Sequence, residues 1–282
     1  MTPYLRLAIP NKGRLLEPTV ALLRDAGLVF DARERSLVSR CENFPLDILF
    51  VRTEDIVEFV GDRVADMGIT GTNLLAESGR PLDVRASLHY GRCHLDAAVP
   101  ANAPAQTIED LAGWRVATSH PAYAGRYFRE HQLDVEVVPL SGAVEVAPRM
   151  GLADAIVDLV STGSTLLVNG LRSVGTLLAS EAILVANPGA DGPALDVVTM
   201  LQAVVDARER RYVMMNAPLS ALPEIEALLP GLGSPSVLPL ARQDMVAVHA
   251  VVGADEVWGL LGRLRNAGAS GILVLPIELL IG

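Results

Sequence analysis

The chain has 282 residues, half of them hydrophobic, and a formal net charge of −10; that length supplies about two domains with real cores, and the acidic balance argues against a general nucleic-acid binder. An acidic protein that takes phosphates must meet them with local N–H groups, a few cations and Mg²⁺. Its two cysteines, Cys41 and Cys93, stand at no paired-ligand spacing and read as free thiols of a reducing cytoplasm, while the N-terminus has no signal-peptide core and no run reaches the ~20 apolar residues of a membrane span.

In chain order, Leu5 to Ile9 is a strand that ends at Pro10 and Asn11, and Leu15 to Ala26 is a helix stopped by Gly27. Between them stand Lys12 and Arg14. Of the 23 basic residues all but Lys12 are arginine, which draws notice to that position. Ligands in open α/β sheets collect at the carboxyl ends of strands, so these cations suit a substrate phosphate; a pair of solvated turn charges gives the same pattern. Leu46 to Val51 is a strand followed by Arg52, which is read the same way, and then by a helix over Thr53 to Val60. Ala65 to Ile69 is a short strand, with a helix from Asn73. The second part of the chain enters at Pro100 to Leu111. There follow a strand at Trp114 to Thr118, a helix at Tyr123 to Gln132, a strand at Val135 to Leu140 and a short helix at Val144 to Met150. On that helix Glu145 and Arg149 form a local ion pair, or Glu145 faces a cleft. His120 follows a strand end and is a cleft candidate; the other histidines are scattered. Strand and helix alternate throughout, which argues for an α/β fold with largely parallel sheets.

The stretch most suited to chemistry is the run from Asp154 to Leu166. It reads as a buried strand ending in Ser161, Thr162, Gly163, Ser164 and Thr165, then a helix. Small hydroxyl residues at a helix start offer N–H groups, close approach and the positive end of a dipole, as a phosphate requires. An ordinary helix cap looks similar. Asp154 and Asp158 lie just upstream, available to a metal or a sugar hydroxyl. The run also has an echo: ADMGITGTNLL from Ala65 aligns without gaps on VDLVSTGSTLL from Val157, with Asp66 opposite Asp158 and Thr70 opposite Thr162. Either α/β turns converge on such residues, or two similar lobes face each other across a ligand cleft.

Glu181 to Ala186 is a strand returning to the first lobe, followed by a loop over 187–193 and a helix from Ala194 to Arg210. The tail then reads β-α-β-β-α-β over Arg211–Asn216, Leu222–Leu229, Ser236–Leu240, Met245–Val252, Asp255–Ala267 and Gly271–Pro276. That order is the ferredoxin-like split unit. Gly231, Gly233 and Pro235 break its middle.

The segments PNKGR (from Pro10), DMGITG (from Asp66), GAVEVAPR (from Gly142) and GLADAIVDLVSTGSTL (from Gly151) together resemble ATP phosphoribosyltransferase, the first enzyme of histidine biosynthesis. The resemblance spans essentially the whole chain. The tail, through LPGL (from Leu229), SPSVLPL (from Ser234) and GASGILVLPI (from Gly268), resembles the regulatory domain of the long, self-regulated form. The resemblance implies a two-lobed core of the periplasmic-binding-protein type (type II) plus a ferredoxin-like, ACT-like C-terminal domain. It places lobe I at 1–92 with 181–211, lobe II at 93–180 and the regulatory domain at 212–282.

It also implies a pentosyltransferase that joins N1 of ATP to C1 of phosphoribosyl pyrophosphate with Mg²⁺. Histidine inhibits it, AMP is a further inhibitor, and the chain assembles as a homo-oligomer, dimer to hexamer, with no nucleic-acid or membrane partner. By resemblance Ser161 to Thr165 hold the 5′-phosphate, Asp154 lies near the ribose, and Asp158 acts there or is structural. Lys12 and Arg14 meet pyrophosphate or ATP phosphates, and Glu145, Asp66 and Thr70 line the cleft. Many members carry tyrosine where His120 stands. In the tail, Asn216, Ser236, Val251 and Gly271 are the candidates for the histidine pocket. A non-catalytic solute-binding protein would share the two lobes but leaves the missing signal peptide and the tail unexplained.

Overall fold

β1 (Leu5–Pro10) carries the first apolar run into the middle of a sheet, with Leu7, Ala8 and Ile9 fully buried. Such continuous apolar sequence marks a strand covered on both faces. The remaining strands of this sheet are β2 (Val38–Arg40), β3 (Leu46–Val51), β4 (Met67–Gly71), β5 (Asp83–Ser87) and, much later in the chain, β11 (Ala182–Ala186). Their order is β2-β3-β1-β4-β11-β5. β1 pairs in parallel with β3 and β4, whereas β11 runs antiparallel between β4 and β5. Helices α1 (Leu16–Asp25), α2 (Ile56–Gly61) and α3 (Thr72–Ser78) follow β1, β3 and β4. The helix expected from Thr53 begins as a 3₁₀ turn over Thr53–Asp55.

The second sheet holds β6 (Cys93–Pro100), β7 (Arg115–Thr118), β8 (Glu136–Pro139), β9 (Ala155–Val160) and β10 (Leu171–Ser180), in the order β10-β6-β9-β7-β8. α4 (Pro121–Glu130) and α5 (Ser164–Val168) belong to it. The chain passes from the first sheet to the second between Ser87 and Cys93 and returns at Glu181. The expectation of largely parallel sheets is corrected: β6 is antiparallel to both β9 and β10, so both sheets are mixed. Sequence reading does not find β6 or β10, because each is interrupted by polar residues. One of them, Asp96 in β6, is buried, and its carboxylate accepts the hydroxyls of Ser173 (2.9 Å) and Thr176 (2.7 Å) of β10. A buried acid satisfied in this way is compatible with a strand interior.

The computed structural model describes residues 4–32, 37–189, 192–229 and 233–282. Pro230, Gly231 and Leu232 of the LPGL motif and part of the 187–193 loop lie outside the described residues. The chain divides into two units, Met1–Val198 and Thr199–Gly282. The division falls inside α6 (Pro193–Arg208) rather than after it, and within the smaller unit the Leu280 N–H donates to the Ala203 carbonyl of that helix. The smaller unit contains β12 (Arg210–Pro218), α7 (Leu222–Leu228), β13 (Ser236–Pro239), β14 (Met245–Gly253), α8 (Val257–Asn266) and β15 (Ser270–Pro276). Its antiparallel sheet runs β13-β14-β12-β15, the ferredoxin-like order. Val213, Met215 and Ala217 of β12, with Val246, Val248, Ala250 and Val252 of β14, pack on Ile225 and Leu264 of the two helices.

Candidate active site

Within the larger unit the carboxyl ends of β1, β4 and β9 converge on a cavity of about 260 Å³. Lys12 and Arg14 from the turn after β1, Asn73 from α3, His120 from the start of α4 and Ser180 from the end of β10 all line it. Lys12 and Arg14 are exposed, and Gly13 between them takes φ +82° to make the turn. The Arg14 guanidinium reaches across the cleft. Its Nη1 donates to Ser161 Oγ at 2.8 Å and its Nη2 to Cys93 Sγ at 2.8 Å. Arg14 is thus brought against the hydroxyl loop after β9. Arg52 is exposed and precedes the turn whose Thr53 lines the cavity; Thr70 is buried, with Oγ1 donating to the Thr53 carbonyl at 3.4 Å.

The hydroxyl loop is shaped by Gly163, at φ +76°, from which α5 starts. Ser161, Thr162, Ser164 and Thr165 are exposed around it, and Thr162 Oγ1 and Ser164 Oγ are 3.0 Å apart. The first-turn N–H groups of a helix have no intrahelical partner, so they add to these hydroxyls as donors. The loop presents hydroxyls and small atoms, with Arg14 brought against it, as an anion requires.

The acids divide sharply. Asp158 sits near the carboxyl end of β9, half-buried, accepting the Leu159 N–H at 2.8 Å. Burial raises its carboxyl above the usual range, the Leu159 N–H opposes this, and the negative charge of Glu145 adds a smaller push upward. Glu145, in the 3₁₀ turn Val144–Val146, therefore lies close to Asp158. Asp154 stands at the opposite end of the strand. Its Oδ2 accepts the Arg115 N–H at 2.9 Å, and its own N–H donates to the Arg115 carbonyl at 2.8 Å. The six residues of β9 lie between it and Ser161, seven steps of about 3.3 Å or about 23 Å along an extended strand.

Asp66 does the same for the first sheet: Oδ2 accepts the Arg6 N–H at 2.7 Å and its N–H donates to the Arg6 carbonyl at 2.9 Å. By strand geometry Asp66 corresponds to Asp154, not to Asp158 as the gapless echo pairs them. The second lobe simply has a longer strand and loop before its glycine. Both aspartates tie a strand start to its neighbour, away from the cleft.

Sequence reading missed three residues here. Asn73 is buried, with Nδ2 2.8 Å from His120 Nε2. Ser180 bonds Asn73 through its hydroxyl. Glu77 of α3 accepts the Ala122 N–H at 2.9 Å and the Tyr123 N–H at 2.8 Å, capping α4 across the cleft, and Arg126 of α4 donates to the Ala76 carbonyl. Asn73 opens a helix after a Thr-Gly turn, which is a sequence signal, but its partner stands in another lobe. His120 is buried, and burial lowers its basicity against the smaller opposing charge of Glu77.

Both cysteines are free and buried, and burial pushes the Cys41 thiol up to about 11. Among the described residues no three His, Cys, Asp or Glu side chains cluster as metal ligands, and no helix is long and apolar enough to cross a membrane.

In the smaller unit Asn216 lies opposite Ala247, and Ser236 opposite His249. Val251 lies opposite Tyr212, and a Cβ on Gly271 would come 3.8 Å from Asn216 Nδ2. Directly opposed residues share a face. Asn216, Ser236 and Val251 thus project from the sheet face turned away from α7 and α8, with Gly271 beside Asn216. A separate cavity of about 660 Å³, with Arg210, Glu256 and Arg263 in its lining, takes in only Val251 of these four.

Comparison with known proteins agrees with this architecture. Residues 52–204 match the family model described as ATP phosphoribosyltransferase, and residues 207–279 match that of the HisG C-terminal domain. The ATP phosphoribosyltransferase of Methanosarcina barkeri is 41% identical over 97% of this chain and 98% of its own. That of Gemmatimonas aurantiaca is 46% identical over 98% and 99%. Among solved structures, a chain of the ATP phosphoribosyl transferase (HisG:HisZ) complex from Thermotoga maritima is similar with a TM-score of 0.62 and 30% identity, covering 72% of this chain and 98% of that one. With the core and the C-terminal domain both matched on one chain, the protein belongs to the long form of the ATP phosphoribosyltransferase family, the pentosyltransferases of histidine biosynthesis.

Proposed function

We propose that the cleft binds phosphoribosyl pyrophosphate with its 5′-phosphate on Ser161 to Thr165 and its pyrophosphate toward Lys12 and Arg14, and presents C1 to N1 of ATP. The observation that carries this reading is the Arg14–Ser161 hydrogen bond, which joins the cationic turn after β1 to the hydroxyl loop after β9. The adenine nitrogen owns a free lone pair, so the reaction asks for positioning and charge handling more than for a strong base. Positive charge develops on the ribose carbon and negative charge leaves on pyrophosphate. Asp158, with Glu145 near it, is the carboxylate in place to face the former; Lys12 and Arg14 face the latter. Asp154 and Asp66 have no part in this.

Mg²⁺ is the metal proposed; Asp158 is the carboxylate at hand that would help hold it beside the substrate phosphates, where it would supply charge neutralisation for the leaving pyrophosphate. The tail domain senses histidine through Asn216, Ser236, Val251 and Gly271, AMP is a further inhibitor, and the enzyme works in the cytoplasm as a homo-oligomer, from dimer to hexamer. The test is pyrophosphate release by the purified chain given ATP, phosphoribosyl pyrophosphate and Mg²⁺, with free histidine lowering the rate. No release with both substrates present would overturn the catalytic reading; release unaffected by histidine would overturn the regulatory one.

A further inference from the structure

Three buried polar side chains meet where the chain returns from the second sheet to the first. Asn73, His120 and Ser180 are 5%, 4% and 5% exposed. Each comes from a different segment: Asn73 from α3, His120 from the start of α4, and Ser180 from the last position of β10, one residue before the crossing. Ser180 Oγ accepts the Asn73 N–H at 3.1 Å and donates its own proton to Asn73 Oδ1 at 2.9 Å. That fixes the amide. With Oδ1 used, Nδ2 is the donor toward His120 Nε2 at 2.8 Å. Turning the amide over would make Ser180 Oγ accept from both the Asn73 N–H and the amide NH₂, and would lose the bond from the Ser180 hydroxyl to Oδ1. Nε2 is therefore the bare nitrogen, and the ring proton sits on Nδ1, where Ser119 Oγ at 3.0 Å accepts it.

We infer that Asn73 is a positioning residue that holds His120 as the uncharged Nδ1–H tautomer and ties it to the crossing strand, so that cleft wall and crossover move as one piece. Both ring nitrogens are then committed within the protein. His120 lines the cleft but neither gives nor takes a substrate proton, which agrees with a reaction that needs no base. A proton on Nε2 would set two donors against each other. Burial disfavours that proton, the Glu77 carboxylate favours it, and Lys12, Arg14 and Glu181 are the other charged groups lining the same cavity.

The experiment is histidine ¹⁵N–¹H correlation spectroscopy on the full chain, with the His120 signals identified by their loss in His120→Gln. The expected spectrum has a bare Nε2 and a protonated Nδ1, unchanged from about pH 6 to about pH 8. In Asn73→Asp a carboxylate replaces the donor and welcomes a proton on Nε2, so the His120 midpoint rises by about one unit or more. A wild-type Nε2–H, or an unmoved midpoint in Asn73→Asp, overturns the inference. In Asn73→Ala the KM of both substrates rises about tenfold with kcat less affected, because fewer molecules hold a competent cleft. A folded Asn73→Ala with wild-type KM overturns the inference. If Asn73→Ala does not fold, Ser180→Ala keeps the amide and frees it to turn; two tautomers are expected there, and a wild-type spectrum overturns the inference. The kinetic arm rests on the proposed function, but the spectroscopic arm needs no turnover, so the two readings fail separately.

Discussion

Burial pushes the Asp158 carboxyl up, the Leu159 N–H it accepts pulls it back, and Glu145 adds a smaller push. The folded chain therefore keeps the Asp158 proton to higher pH than the unfolded chain, whose carboxyl titrates near the ordinary ~3.9. With more protons on the native state, stability falls as pH rises from that ordinary value through the raised one. Asp158→Asn keeps an acceptor for the Leu159 N–H and removes the charge. It should melt higher than wild type at about pH 7.5 and lose that advantage at about pH 3, below both titrations. Equal melting temperatures at neutral pH would remove the burial argument. The same variant should lower kcat/KM by about tenfold or more, since it removes a charge facing the developing cation. Asp154→Ala should do the reverse. It strands the Arg115 N–H and costs stability of about 1 kcal/mol, with kcat/KM nearly unchanged. A large kinetic loss in Asp154→Ala would return that residue to the site.

Glycines separate shape from packing in the same way. Gly163 sits at φ +76° with nothing within 4 Å of a Cβ, so Gly163→Ala adds backbone strain of about 1 kcal/mol and no clash. Its effect should appear as a raised KM for phosphoribosyl pyrophosphate. Gly68 of β4 is the opposite: a Cβ would come 2.5 Å from Ile56 Cγ2 and 2.9 Å from Val60 Cγ2 of α2. Gly68→Ala should cost about 1–3 kcal/mol of stability by overpacking, read in urea titration, with no selective change in KM. The sequence made Gly163 visible because its hydroxyl neighbours and preceding apolar strand are local signals. β1, β3, β4 and every tail element were legible for the same reason. What was not legible depends on pairs. Asp96 fits a strand interior only because Ser173 and Thr176 come from the neighbouring strand. Asn73 matters only through His120 and Ser180, which stand 47 and 107 residues away. The gapless echo misled for a related reason: it matched the turns, whereas the hydrogen bonds to Arg6 and Arg115 match the strand starts.

A family whose core forms a chain of its own in the Thermotoga complex is here continued by a covalently attached ferredoxin-like unit. Attachment fixes the effective concentration of tail and core, so under the proposed function histidine sensing would need no separate subunit to associate. Deleting the tail is the blunt test, and it disturbs α6, because the Leu280 N–H donates to the Ala203 carbonyl and Leu201, Val204 and Val205 of that helix are buried. Point changes on the sheet face are sharper. Asn216 is exposed on β12 and Ser236 on β13, both turned away from the helices that form the unit's core. Asn216→Ala with Ser236→Ala removes polar groups from that face and no core packing, so stability should shift by no more than about 0.5 kcal/mol. Two lost hydrogen bonds to a charged ligand should weaken histidine inhibition by about tenfold or more while kcat and both substrate KM values stay at wild type. Inhibition assays on the full chain read this directly. Undiminished inhibition in the double variant would move the sensor off this face, whereas lost inhibition with unchanged turnover would place it there.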